Sequence, residues 1–131
     1  MEPVKFRNKH GPEFVIQREF IRYLRDRQWH VERLIGNAMQ TGIPDIYLGH
    51  KDYGTRWVDL KNPVAYEFTT AQRLKWPKWA DHGIGIWIIT AATDEEYAKL
   101  FKPPNWRDYW KPKYDEELTI DELLEELNES Y

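Results

Sequence analysis

Cysteine is absent from the 131 residues. That excludes disulfides and thiolate metal sites and fits a reducing cytoplasm. No apolar run approaches the roughly 18 residues of a membrane span, and the N-terminus carries no secretory-signal pattern. The expectation is a soluble cytoplasmic protein with no membrane partner. Internal repeats and low-complexity segments are also lacking. Basic residues are missing from one stretch: all 19 Lys and Arg precede Tyr114, alongside 14 acidic residues, whereas residues 115–131 hold eight acidic residues and no basic one. The net charge of −3 therefore hides a basic body with an acidic tail. Such segregation points to a polyanion partner for the body; the blander account is a solvated surface plus an acidic helix.

Aromatics make up 15% of the chain and charged residues 31%, enough for one domain with a single core. Residues 1–11 read as a loose polar arm, and Pro12 suits the first turn of a helix. Ile16, Phe20 and Leu24 recur at helical spacing through about Arg27. Residues 29–35 read as a strand, 37–42 as a connector, and 45–48 and 56–61 as two strands joined through Lys51–Tyr53 and Gly54. A second helix is expected over 69–81, bent or shortened by Pro77. Residues 85–91 form an apolar run without alternation, as in a strand buried on both faces. Thr93 and Glu96 fit a capping box opening a third helix through about Phe101. The segment 102–114 is too rich in Pro and aromatics for a regular element, and Trp106 and Trp110 are expected to dock it on the body. Thr119 and Glu122 fit a capping box for a short amphipathic helix with Ile120, Leu123, Leu124 and Leu127 inward. The order is α-β-β-β-α-β: a core over 1–101 and an extension over 102–131 packed on it.

The charges of Gly42–Lys61 are the informative ones. Side chains alternate along a strand, so Asp59 and Lys61 project from the same side, and hairpin pairing brings Asp45 to them. Two carboxylates and one ammonium suit hydrolysis of a phosphodiester. A hard divalent cation prefers oxygen ligands, which Asp45, Asp59 and the Leu60 carbonyl would supply, and Lys61 would orient water or offset developing charge. A sheet-edge salt bridge is the competing account. On a helical wheel at about 100° per residue, Ile16, Phe20 and Leu24 lie at about 300°, −20° and 20° from Glu13. Glu13 thus belongs to the inward stripe, with Gln17 beside it at about 40°. A buried carboxylate needs a partner or a metal, although helix-dipole complementation also accounts for an acid in a first turn. Glu19, at about 240°, points to solvent. Thr69 and Gln72 fit a capping box, or Gln72 faces the hairpin's charged side.

Together these residues resemble the PD-(D/E)XK nuclease superfamily, and most closely its small phage-type members, the virus-type replication-repair (VRR-NUC) nucleases. The matching pieces are Glu13 and Gln17 (E-x-x-x-Q), Gly42, Pro44 and Asp45 (G-x-P-D), Asp59 and Lys61 (D-x-K), and Thr69 and Gln72 (T-x-x-Q). They stand in the family's order over residues 13–72, and the following strand extends the match to about residue 91. The resemblance implies an α/β, restriction-endonuclease-like αβββαβ core with a mixed sheet flanked by helices. It implies Mg²⁺ or Mn²⁺ dependence and cleavage of DNA phosphodiesters, in recombination or repair. It also implies that Glu13, Asp45, Asp59 and the Leu60 carbonyl hold metal, that Lys61 assists attack and that Gln72 supports the site. A phage or mobile element as source would place the protein in a bacterial host's cytoplasm. Two departures stand out: the VRR-NUC group usually has Glu where Asp59 stands, and the tail from about Lys102 has no counterpart.

Arg33, Lys51, Arg56, Arg73 and Lys75 are the expected DNA contacts. Arg18, Arg22 and Arg25, at about 140°, 180° and 120° from Glu13, form an outward face read as solvated. His10, His30, His50 and His82 lack ligand spacing, and Trp76, Trp79 and Trp87 read as core. The expected activity is a metal-dependent DNA endonuclease. Branched or junction DNA would be its substrate if it reads structure, and a homodimer would then supply two sites. The alternatives are a sequence-specific nicking or restriction-like nuclease acting with a partner protein, and an idle nuclease-fold module that binds DNA or protein. A third option has the acidic tail folding over the basic cleft. Asp59→Ala or Lys61→Ala is expected to abolish cleavage with the fold intact.

Overall fold

A computed structural model describes residues 3–34, 41–116 and 124. Helix α1 (Pro3–Arg25) carries the apolar stripe that the spacing predicts, with Phe20 and Leu24 fully buried. It begins at Pro3 rather than Pro12, so residues 3–11 are helical instead of a loose arm. Pro3 occupies the first turn, where a missing N–H costs nothing, and Pro12 is carried inside at the loss of one backbone bond.

The strands follow as β1 (His30–Arg33), β2 (Ile46–His50), β3 (Gly54–Leu60) and β4 (Ile86–Ile89), with helix α2 (Thr70–Asp81) before β4 and helix α3 (Asp94–Ala98) after it. They form one four-stranded sheet in the order β1-β2-β3-β4. The first two pairings are antiparallel and β3–β4 is parallel, so the sheet is mixed. The protein is therefore α/β, with a mixed sheet flanked by helices. Gly54 closes the β2–β3 hairpin at φ +84°, a left-handed conformation that favours glycine. β1 is shorter than residues 29–35, and Ile35 lies outside the described residues.

The period-two alternation of β3 builds two cores. Val58 and Leu60 face α1 together with Ile46, Leu48 and Ile89. On the opposite face, Ile86 and Ile88 of β4 pack with Phe68, Trp76, Trp106 and Tyr114, and Trp57 lies against them. Asp59 shares a face with Trp57 by strand alternation, so its carboxylate points into the aromatic side. β4 is buried on both faces, as its unbroken apolar run predicts: Ile86, Ile88 and Ile89 are fully enclosed.

α2 opens with the full capping box predicted from Thr69 and Gln72. Pro77 does not shorten it, since the helix continues to Asp81. Trp76 before the proline packs on Phe68 and Trp106, and Trp79 after it packs on Trp57, anchoring both sides. Only half of the second expected box forms. Thr93 accepts from the Glu96 N–H, but the Glu96 carboxylate turns to Thr90 and Lys99 instead. Beyond α3 the chain advances through short 3-10 turns at Lys99–Phe101, Trp106–Tyr109 and Pro112–Asp115. Trp106 is buried and Trp110 half-buried, and both join the aromatic core. The helix expected around Ile120–Leu127 lies outside the described residues except Leu124.

Candidate active site

Asp45 lies immediately before β2, opposite Asp59 when the Ile46–Val58 register is extended by one residue. The two are tied reciprocally through the backbone. The Asp45 N–H donates to Asp59 Oδ1 at 3.2 Å, and Asp45 Oδ2 accepts the Leu60 N–H at 2.8 Å. The connector before Asp45 is held against α2 by Gly42. Its carbonyl accepts the Trp76 indole N–H at 2.7 Å, and a Cβ there would stand 2.9 Å from the Ala71 backbone carbon. At φ +84° and with this closeness, glycine is required.

Lys61 is only 4% exposed and Asp59 1%. The three N–H donors of the ammonium have three acceptors: Asp59 Oδ2 at 3.0 Å, Gln72 Oε1 at 2.8 Å and the Glu67 carbonyl at 3.1 Å. The rings of Phe68 and Trp76 lie 5.0 and 5.7 Å from Nζ, adding cation–π attraction. Gln72 Oε1 also accepts the Thr69 N–H, and its amide donates to Asp59 Oδ1 at 3.4 Å. The helix cap and the functional placement of Gln72 are thus one arrangement, not rival accounts.

Burial and then the Asp45 charge push the Asp59 carboxyl up to about 7, against the pull of Lys61. Asp45 is also raised, chiefly by burial, with Leu60 and Lys61 opposing and the Glu13 charge adding to the rise. One ammonium therefore faces two poorly hydrated carboxylates. That imbalance distinguishes the cluster from an ordinary salt bridge. Burial also weighs against the expectation that truncating Asp59 or Lys61 leaves the fold intact. Truncating Asp59 strands the Lys61 ammonium in a dry place, which is strongly destabilising, whereas without Lys61 the raised Asp59 carboxyl can take up a proton.

Glu13 reaches this place from its rim, and it is exposed rather than buried. Along the α1 stripe, burial rises from exposed Glu13 through half-buried Ile16 to fully enclosed Phe20. The stripe is inward as predicted, but Glu13, ten residues beyond Pro3, is not in the helix's first turn, so dipole complementation does not account for it. Glu13 Oε2 accepts the Asn62 N–H at 3.4 Å, next to Lys61. Gln17 instead accepts from Arg33 Nε at 3.2 Å. Among the described residues, no three His, Asp or Glu side chains stand together as a ready metal cage.

The five expected DNA-contact residues are not gathered at this cluster. Lys51 belongs to the closed end of the hairpin, six residues and about 20 Å along the strand from Asp45, and Arg56, paired with Leu48, faces the α1 side, away from Asp59. Arg56 donates to the carbonyls of Leu100, Tyr53 and Thr55 and lies over Trp87, a structural role. Arg73 donates to Thr70 Oγ1 and lies over Tyr114, and Lys75 donates to the Thr41 carbonyl. Arg33 is on β1, facing α1. His50 is structural: Nδ1 accepts the Asp52 N–H, and the ring packs on Trp29 and Tyr53.

Three neighbours were not legible beforehand. Asn62 caps its own turn by accepting the Val64 and Ala65 N–H groups, a role that Asn before Pro63 signals. Glu67 presents its carbonyl to Lys61, while its carboxylate is gripped by Lys111, Lys113 and the Tyr114 hydroxyl. Those hydrogen bonds, the Lys111 bond first, pull the Glu67 carboxyl down to about 2. Tyr114 also accepts the Phe68 N–H, so the C-terminal segment clamps the loop over Lys61. No local pattern announces partners so far apart in sequence. Comparison with family models, curated proteins and solved structures finds no match to this chain.

Proposed function

We propose that the protein is a metal-dependent DNA endonuclease built on a PD-(D/E)XK-like core. The observation that carries this reading is the cluster itself: Asp45, Asp59, Lys61 and Gln72 meet at one end of the hairpin, with one positive charge for a buried carboxylate (Asp59) and a half-buried one (Asp45). Surplus negative charge in a dry place is the electrostatic condition that favours a bound cation. Asp45, Asp59 and the Leu60 carbonyl would hold Mg²⁺ or Mn²⁺, with Glu13 closing the rim. When bound, such an ion lowers the pKa of water and offsets charge on a phosphate.

The chain's own residues supply the rest. Gln72 holds Asp59 and Lys61 in register through both ends of its amide. Lys61 is a fixed cation whose position costs no reorganisation during reaction, so it stabilises charge as it develops on the phosphate oxygens. The surrounding Phe68 and Trp76 exclude water and keep that charge effective. Branched or junction DNA as preferred substrate, and a homodimer with two such sites, belong to the same proposal.

An idle DNA- or protein-binding module is the competing reading. It draws on the full engagement of the Lys61 ammonium and on the lack of a ready three-ligand cage among the described residues. One assay separates the two. The purified protein is incubated with linear, nicked, single-stranded and four-way-junction DNA, with Mg²⁺, Mn²⁺ or EDTA. Cleavage of at least one substrate with metal and none with EDTA supports the nuclease; no cleavage of any substrate supports the idle module.

A further inference from the structure

The outer face of α1 is not merely solvated. Arg18, Arg22 and Arg25 are exposed on it, and Arg33 of β1 stands across from them. These four line a single groove of about 500 Å³ with Asp26 as its one acidic member. The floor is apolar, with Ile21 only 6% exposed. Gln17 spans the groove by accepting from Arg33 Nε at 3.2 Å, which fixes the distance between helix and strand walls. Among the described residues, Arg18, Arg22 and Arg25 make no ion pair, unlike Arg27, which reaches Asp94 at 3.8 Å.

We propose that this groove seats the phosphodiester backbone of the DNA substrate, outside the carboxylate cluster. The proposal rests on the nuclease reading for the identity of the polyanion, and on the groove's own charge and shape for the site. Arginine forks match phosphate oxygens in pairs and stay charged at every working pH. At about 1.5 Å rise per residue, Arg18 and Arg22 are about 6 Å apart along the helix and Arg22 and Arg25 about 4.5 Å, a ladder on a rigid rod. The groove also begins in the right place. Gln17 is one helical turn from Glu13, and Glu13 contacts the backbone beside Lys61. The Gln17 end of the groove is thus the end nearer the carboxylate pair, which lies on the opposite face of the sheet.

The test is binding of fluorescein-labelled duplex and four-way-junction DNA to the full-length protein in EDTA, read by anisotropy across a salt series. Arg18→Gln/Arg22→Gln is the groove variant. Both positions are exposed on a helix, and circular dichroism melting checks that the fold is kept. Lys102→Gln, exposed beyond α3 and outside the groove lining, is the control. The groove variant should bind at least about tenfold more weakly, with the slope of log K against log salt shallower by about two, because each lost phosphate contact removes about 0.9. The control should match wild type. Unchanged affinity and slope in the groove variant would overturn the proposal, as would wild type binding neither DNA. Tighter binding by the variant would overturn it too. Because EDTA removes any cleavage, binding through the groove by a protein that never cuts DNA with Mg²⁺ would sink the nuclease reading alone.

Discussion

Asp59 Oδ2 lies 3.0 Å from Lys61 Nζ at the end of β3, with both side chains almost wholly withdrawn from water. A pair this deep is held by its partners on every side: Asp45, Gln72 and the Glu67 carbonyl complete it.

Breaking that pair from either side should cost stability as well as activity. Asp59→Ala strands the Lys61 ammonium and is expected to lower unfolding free energy by about 3–5 kcal/mol. Lys61→Met fills the same volume, and Asp59 can then take up a proton, so its loss should be clearly smaller. Urea denaturation near neutral pH, fitted for both variants, checks the order.

The raised carboxyl of Asp59 makes stability depend on pH in a definite direction. Its folded value of about 7 exceeds its ordinary 3.8, so the folded state keeps a proton that the unfolded chain gives up. The stability this contributes is complete below the unfolded value and is lost as pH rises through the folded one. Asp45→Asn removes a charge that raises Asp59 while keeping an oxygen for the Leu60 N–H. In EDTA, this variant should therefore gain on wild type between about pH 5 and about pH 8. A stability difference that stays flat over that range would contradict the assignment.

A cation at the carboxylates should stabilise the fold by mass action. Near pH 8, Mg²⁺ or Mn²⁺ is expected to raise the melting temperature of wild type measurably over EDTA. The same addition should leave Asp45→Asn unmoved. Differential scanning fluorimetry with a metal titration reads this without any substrate.

Tyr114 acts on Lys61 through Glu67. Tyr114→Phe removes the donor to Glu67 Oε1 and the acceptor of the Phe68 N–H, leaving that buried N–H unpaired. The expected loss is about 1–3 kcal/mol. Any cleavage activity should fall with it, because the Glu67 carbonyl is one of the three acceptors of the Lys61 ammonium. Parallel denaturation and cleavage measurements on this variant check both effects.

The layout of the core was legible because it rests on local periodicity. The α1 stripe, the alternation that sends Asp59 and Lys61 to one side, and the Thr69–Gln72 cap each follow from a few neighbouring residues, and the structure places them so. Glu13 was half legible: wheel geometry gives its direction, but how far the sheet extends beneath it is a tertiary fact. Arg56 illustrates the limit. Closeness in sequence to Asp59 says nothing about faces, and an odd separation of three residues along β3 turns Arg56 to the opposite side of the sheet. Arg18, Arg22 and Arg25 read as solvated until Arg33, from another element, closes a groove with them. The Glu67–Tyr114 clamp joins residues 47 apart, beyond any pattern that spacing reveals.

The most direct measurement is cleavage of supercoiled plasmid and four-way-junction DNA by purified wild type and Asp45→Asn, with Mg²⁺ and with EDTA. Asp45→Asn is chosen because the Asp59–Lys61 pair survives it. The account predicts nicked or linear products only from wild type with Mg²⁺. Equal cleavage by Asp45→Asn, or by wild type in EDTA, would contradict it.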